Sequence, residues 1–405
     1  MVCRSCGGKR CQSVLDLGLQ PLANNFLRPE DLGKPEPRFP LHLVVCTTCW
    51  LMQITETIPP LELFQTYLYF SSYSEAMLEH ARIAAERYVT EFSLGHEQLV
   101  VEIASNDGYL LQNFIRHGVP CFGIDPAENV AALAREKGVE TVVGFFGLEL
   151  AKDLARSRNR ADLILGNNVL AHCAEINDFV AGLATLLNRR GRIVLEFPYA
   201  VDLVEANEFD TIYHEHIFYF SLTALEPVFD RHGLKVFRVE RLDIHGGSLR
   251  LFAAQRDDFA VEDSVIKLRA DERGKGVPDI AFYRDVARRA ANLKTSLLDL
   301  LRELKAAGKS IAAYGASAKG NTLLNFLAPP LGLLDFVADR SPHKQGTLTP
   351  GLHLPVLNAD ELERRQPDYA LLLAWNFAPE ILQQQQAYRN AGGKFILPIP
   401  QPKIV

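Results

Sequence analysis

Val101-Glu102-Ile103-Ala104-Ser105-Asn106-Asp107-Gly108 is the stretch on which the fold of this chain turns. An apolar run ending beside an acid, then small residues and a glycine, predicts a buried strand over 99–104 that meets a helix over 109–117. Strands and helices then alternate: a strand over 121–125, a helix through 137, strands over 141–143 and 162–166, a helix over 179–187 and a strand over 192–197. Such alternation implies a parallel sheet whose ligands sit at the carboxyl ends of its strands.

Two further strands, over 234–240 and 248–254, are separated only by a loop. Five βα units closed by a hairpin are the outline of class I methyltransferases. Residues 198–232 are an insertion after the fifth strand, rich in Tyr, His, Glu and Phe. A long helix over 278–307 leads to a second α/β unit, with strands over 310–314, 335–338, 369–374 and 394–397.

The small residues of the first loop let the backbone approach a nucleoside closely. In most class I methyltransferases the loop carries three glycines; here Ala104 and Asn106 replace two of them, and Gly108 remains. Asp125 closes the second strand, where an acid hydrogen-bonds both ribose hydroxyls. Asn167 and Asn168 close the fourth, where the methionine and adenine portions of a methyl donor lie in that fold. NAD is the competing ligand, but its loop needs GxGxxG, and Glu102 sits badly beside a pyrophosphate. S-adenosylmethionine is therefore the expected cofactor.

Cys3-x-x-Cys6 and Cys46-x-x-Cys49 account for four of the seven cysteines. Two such turns complete a tetrahedral all-sulfur site, which predicts structural zinc with no open position for catalysis. The region is short and broken by Gly and Pro, so a metal staple would add much to its stability. Cys11 falls outside the spacing.

Tyr213-His214-Glu215-His216 lies in the insertion. Methylating carbon needs a base to remove a proton beside a carbonyl and a donor to steady the enolate oxygen, and these residue types can do both. The same residues suit a polar loop or a metal pair. The run Phe64-Gln65-Thr66-Tyr67-Leu68-Tyr69-Phe70-Ser71-Ser72-Tyr73 is either core or the wall of a cofactor or sugar pocket. His172 is either a site residue or a helix-start cap.

In the carboxyl-terminal unit, Tyr314-Gly315-Ala316-Ser317-Ala318-Lys319-Gly320-Asn321 reads as a strand end, a glycine turn and a helix start. Such a turn presents backbone N–H groups to phosphate, and Lys319 adds charge. It is not a Walker loop. Asp339-Arg340 and Trp375-Asn376 end later strands on the same sheet edge and can frame a nucleotide; a duplicated fold with a vestigial turn is the alternative.

A net charge of −6 argues against a nucleic-acid partner. There is no signal-like start and no run long enough to span a membrane, so a cytoplasmic protein is expected.

Taken in order, the CxxC pair, the Tyr67-x-Tyr69-x-Ser71-Ser72 run, the Glu102 to Gly108 loop, the Tyr213-His214-Glu215-His216 insertion and the Tyr314 to Asn321 turn resemble the sugar C-methyltransferases of deoxysugar biosynthesis. The resemblance spans nearly the whole chain; Tyr73, where a smaller residue is common, is a departure. It implies an α/β protein of three parts: an N-terminal zinc-binding module (1–72), a class I methyltransferase Rossmann-like domain (73–277) and a C-terminal Rossmann-like domain that binds the sugar nucleotide (278–405). The best-known members methylate C-3 of dTDP-4-keto sugars. The resemblance implies His216 as the base with Glu215 and Tyr213 assisting, Tyr69 and His172 lining the reaction centre, and the Gly315 to Asn321 turn helping to hold the nucleotide sugar. A monomer is expected. C-5 methylation within the family, a zinc-knuckle RNA methyltransferase and a non-catalytic sugar-nucleotide binder are the rivals.

Overall fold

The computed structural model describes residues 1–64 and 70–405. Three sheets follow one another along the chain.

The first is antiparallel: β1 (Cys11–Pro21), β2 (Arg38–Cys46) and β3 (Met52–Ile54) pair in sequence order. Its strands are hard to read from sequence because β1 pairs irregularly, with register shifts between Ser13 and Leu15 and between Asp16 and Leu19. Gly18 takes a left-handed φ of 74° there, and its N–H donates to Asp16 Oδ1 at 2.8 Å. The bulge breaks the two-residue alternation that marks a strand. A fourth strand comes from far along the chain: Phe218–Tyr219, in the insertion, pairs with β3.

The second sheet contains β4 (Val100–Ile103), β5 (Cys121–Asp125), β6 (Thr141–Val143), β7 (Ala161–Asn167) and β8 (Leu187–Pro198). All pair in parallel. The strands Leu234–Leu242 and Ser248–Gln255 form the closing antiparallel hairpin beside β8. Val100, Val101, Leu163, Ile164, Ile193 and Val194 are buried, as continuous apolar strands covered on both faces should be.

The third sheet is parallel through Val356–Asn358, Val337–Asp339, Ile311–Tyr314, Tyr369–Leu372 and Lys394–Leu397, with Lys403–Ile404 antiparallel at the edge. The long helix expected over 278–307 begins later, at Val286–Ala306. Asp279 accepts from the Ala281 N–H at 2.8 Å, closing a separate 3₁₀ turn over Ile280–Tyr283. Aspartate competes for backbone groups in this way and favours turns over helix interiors.

Two local anchors position the functional region. Buried Glu272, on the helix Asp263–Lys275, accepts from the Tyr199 hydroxyl at 2.6 Å and from the Leu222 and Thr223 N–H groups at 2.8 and 2.7 Å. It thereby fixes the insertion and caps the helix Leu222–Arg231. The second anchor precedes the helix Glu75–Glu91, whose N-cap is Ser74. Ser71 N–H donates to Asn106 Oδ1 at 2.9 Å, and the Ser72 hydroxyl donates to Asp107. No described helix is long and apolar enough to cross a membrane.

Candidate active site

The four cysteine sulfurs of the N-terminal sheet lie within 4.8 Å of one another. Cys3 and Cys49 are 3.6 Å apart, and Cys6 and Cys46 3.7 Å. Tetrahedral zinc with Zn–S bonds of about 2.3 Å separates its sulfurs by about 3.8 Å. The donor set fits zinc and offers four thiolates, which close the coordination sphere. Tight turns supply the geometry: Gly7 N–H donates to Cys3 O at 2.9 Å, and Trp50 N–H to Cys46 O at 2.7 Å.

Beyond the carboxyl ends of β4, β5 and β7 lies a cavity of about 460 Å³. Ser71, Ala104, Asn106, Asp125, Asn167, Asn168 and His172 all line it. Ala104 and Asn106 hold φ values of 56° and 50°, and Asn168 one of 54°. The loop therefore follows the left-handed path that glycine usually takes, at a cost of about 1 kcal/mol or more per residue. Gly108 also has positive φ, 76°, and a Cβ there would lie 2.9 Å from Val139. It shapes the turn rather than lining the cavity.

Asp125 accepts from the Asn106 and Ala127 N–H groups, each at 2.9 Å. Burial nonetheless pushes its carboxyl up to about 6, against those two hydrogen bonds. Glu102 stands behind the loop, fully buried, outside the cavity lining, with its carboxyl raised well above the ordinary range by desolvation. Ser72 also stands off the cavity, on Asp107.

A second cavity of about 410 Å³ opens on the other side of Asn168 and His172, which line both. Tyr213, Glu215 and His216 line this one, with Thr211, Ser317, Lys319, Lys344 and Asn376. His216 Nδ1 lies 3.1 Å from the Thr211 carbonyl oxygen, which can only accept, so Nδ1 carries the proton. Nε2 then has the lone pair and accepts from the Tyr213 hydroxyl at 2.8 Å. The ring of His172 stands edge-on to that of His216, centroids 4.9 Å apart. Desolvation lowers His172 to about 4, so it is neutral near pH 7. Glu215 accepts from Asn24 Nδ2 at 2.6 Å, and burial raises its carboxyl to about 7. His214 points elsewhere, edge-on to Phe39 at 5.9 Å. Among the described residues the one cluster with metal-ligating geometry is the cysteine quartet.

The C-terminal turn brings Ser317 and Lys319 to the second cavity, and the 3₁₀ turn Trp375–Phe377 brings Asn376. Gly315 needs its φ of 88°, and a Cβ there would lie 2.8 Å from that of Ala374. Ser317 caps the helix Ala318–Leu327 through the Gly320 N–H at 3.1 Å. The Lys319 ammonium is buried without a hydrogen-bond partner among the described residues, 4.4 Å above the Trp375 ring. Desolvation lowers its pKa, opposed by Asp210 and Glu208.

The other expected residues lie outside the lining. Tyr314 Oη accepts from Gln385, Asn321 donates to the Ala23 carbonyl, and Asp339 accepts from Ala316 and Ser341 N–H groups. Trp375 Nε1 donates to Asp210 at 2.7 Å, and Arg340 is exposed. Tyr69, and Tyr67 with it, lies outside the described residues. Sequence reading missed Asn24, Asn25, Phe26 and Lys344, which also line the second cavity. Lys344 was within reach as a cation just past the strand ending at Asp339; nothing around Asn24 gave a signal.

A Rossmann-like sheet closed by an antiparallel hairpin, with an acid at the end of its second strand beside a nucleoside-sized cavity, defines an S-adenosylmethionine-dependent methyltransferase. Three family models match in tandem: "Putative zinc binding domain" over residues 3–64, "Methyltransferase domain" over 77–239 and "C-methyltransferase C-terminal domain" over 243–400. C-methyltransferase NovU of Streptomyces niveus is 38% identical over 404 residues, spanning 100% of this chain and 96% of the relative. Among solved structures, magnesium protoporphyrin IX methyltransferase of Synechocystis with bound S-adenosylhomocysteine is 16% identical, with a TM-score of 0.35, covering 44% of this chain and 83% of that one. A methyltransferase of Anabaena variabilis is 11% identical, with a TM-score of 0.35, covering 50% of this chain and 100% of its own. The chain belongs to the sugar C-methyltransferase family. S-adenosylmethionine and zinc are its cofactors.

Proposed function

We propose that this enzyme methylates the carbon beside the ketone of a nucleotide-linked 4-keto-deoxysugar, with dTDP as the nucleotide and C-3 as the position. One observation carries the reading. The donor cavity and the cavity holding Tyr213, Glu215 and His216 meet at Asn168 and His172, so a proton acceptor faces the place where a methyl group would arrive.

Bound S-adenosylmethionine supplies an electrophilic methyl group on a sulfonium. Asp125 accepts from the ribose hydroxyls, Ala104 and Asn106 leave the backbone open to the adenosyl portion, and Asn167, Asn168 and Ser71 complete the lining. Ser317, Lys319, Lys344 and Asn376 receive the sugar nucleotide, the lysines facing its diphosphate. His216 Nε2 takes the proton from the carbon next to the ketone. When the Tyr213 hydroxyl turns from Nε2 to the enolate oxygen, it frees the base and steadies the developing charge. Glu215 balances the positive charge that His216 gains. The division into a zinc module (1–72), a donor domain (73–277) and a sugar-nucleotide domain (278–405) follows these roles.

Two measurements test it. NMR of products from a panel of 4-keto sugar nucleotides with carbon-13 methyl donor should show a new C-methyl at C-3; a methyl at C-5, on oxygen, or none would refute the assignment. In heavy water with S-adenosylhomocysteine in place of the donor, the enzyme should exchange the sugar's alpha proton, and His216→Asn should not.

A further inference from the structure

We propose that Asn24, carried on the zinc module, is a positioning residue that fixes the Glu215 carboxylate in the reaction cavity. The inference rests on the reading of Tyr213-His214-Glu215-His216 as the reaction motif.

β1 starts at Cys11, among the zinc-site turns, and ends at Pro21. The following residues leave the sheet as a strap across the second cavity, where Leu22, Asn24, Asn25 and Phe26 line the wall. Both ends of the strap are fastened to the C-terminal unit. Ala23 O accepts from Asn321 Nδ2 at 2.7 Å, and Leu27 exchanges backbone hydrogen bonds of 3.0 and 2.8 Å with Leu348. Asn24 sits between these fastenings and reaches the middle unit, donating from Nδ2 to Glu215 Oε1 at 2.6 Å. The strap thus ties together three parts of the chain that are remote in sequence, with the Asn24 amide as its link to the middle unit.

The chemistry explains why an amide serves here. Glu215 is 6% exposed, and an ionised carboxylate without donors in such a place pays its full desolvation cost. A neutral N–H donor stabilises the anion without adding a countercharge that would compete for the substrate. The charge of Lys344 also favours the anion, and the other titratable groups lining the same cavity are Tyr213, His216, His172, Lys319 and Glu62, the last a like charge. Burial still dominates, leaving the carboxyl raised to about 7. Loss of the Asn24 donor would raise it further, by roughly one pH unit, the usual worth of a hydrogen bond to a charged group.

Two variants of the full-length, zinc-loaded enzyme test this. Asn24→Leu keeps the bulk and removes the donor; Asn24→Asp keeps the shape and sets a like charge beside Glu215. Zinc content and melting temperature report whether the module is intact. Infrared difference spectra, with the Glu215 band assigned by its loss in Glu215→Gln, give the protonation midpoint directly. We expect a midpoint near 7 in the wild type, moved up by about one unit in Asn24→Leu and further in Asn24→Asp. The acid limb of kcat should move with it, so that activity lost at neutral pH returns in alkali. An unmoved midpoint in both variants overturns the proposal. A midpoint that moves while the kcat profile stays still supports the Asn24 contact and refutes the part given to Glu215 in turnover.

Discussion

The two parallel sheets of this protein are built alike and lined differently. In each, an aspartate at the end of the second strand ties down the loop after the first. Asp125 accepts from Asn106 and from its own i+2 N–H, each at 2.9 Å. Asp339 accepts from Ala316 and from its own i+2 N–H, at 2.6 and 2.7 Å. The cavities beside them diverge in charge. Asp125, Glu149, Glu175 and Asp178 line the donor cavity, with no lysine or arginine among its described lining residues. Lys319 and Lys344 line the other, with Glu215 and Glu62. An acidic wall suits a donor bearing a sulfonium and an ammonium; half-buried lysines suit a diphosphate. In the proposed reading the shared scaffold supplies position, and these few charges choose the ligand.

The proposed chemistry lies at the seam between the cavities, and the largest expected effect is there. His216→Asn should lower kcat about a hundredfold or more, the worth of a positioned base. Affinities for donor and sugar nucleotide should change far less, because the lost interaction belongs to the transition state. Steady-state kinetics with separate binding titrations would show this. Equal losses in kcat and in both affinities would mean His216 holds the seam together instead.

Next in size are two single changes that should act on one cavity each. Asp125→Ala should weaken S-adenosylmethionine by roughly ten- to hundredfold through lost charge-assisted hydrogen bonds, and leave a dTDP-sugar almost unaffected. Lys319→Met should weaken the dTDP-sugar by about tenfold and spare the donor. Calorimetry on both variants with both ligands gives the four values. Cross-effects as large as the direct ones would dissolve the distinction between the cavities.

How much of this was legible in the sequence follows the physics of each part. The parallel sheets were readable because buried strands are continuous apolar runs and their turns need small residues. The cysteine quartet was readable because CxxC spacing is itself the geometry. The antiparallel zinc sheet was not, since the bulge at Gly18 hides the alternation and the fourth strand, Phe218–Tyr219, lies far away in sequence. Within the second cavity, Tyr213, Glu215 and His216 stood out as a dense polar cluster in an insertion. Asn24 did not, because its role depends on a strap whose fastenings, Asn321 and Leu348, are tertiary. Asp339 and Trp375 looked like ligand contacts and instead brace the loops, one on backbone N–H groups and the other on Asp210.

The smallest expected effect, and the most direct contrast between the cavities, is in the sign of their pH dependence. Burial raises Asp125 to about 6, so below that pH the group is increasingly protonated and loses acceptor strength toward the ribose hydroxyls. Donor affinity should be level above about pH 7 and fall as pH drops through 6, by at most about tenfold per unit. Lys319 and Lys344 are displaced the other way: desolvation lowers both below the ordinary lysine range. They lose charge earlier than exposed lysines as pH rises, so affinity for a dTDP-sugar, whose diphosphate diester keeps its charge throughout, should weaken toward alkali. The two titrations, run on one preparation, should therefore slope in opposite directions. Asp125→Ala should flatten the acid limb of the donor curve, and Lys319→Met should reduce the alkaline fall of the other. Parallel slopes would show that a common event, such as the opening of the seam at Asn168 and His172, governs both ligands in place of the charges that line each cavity.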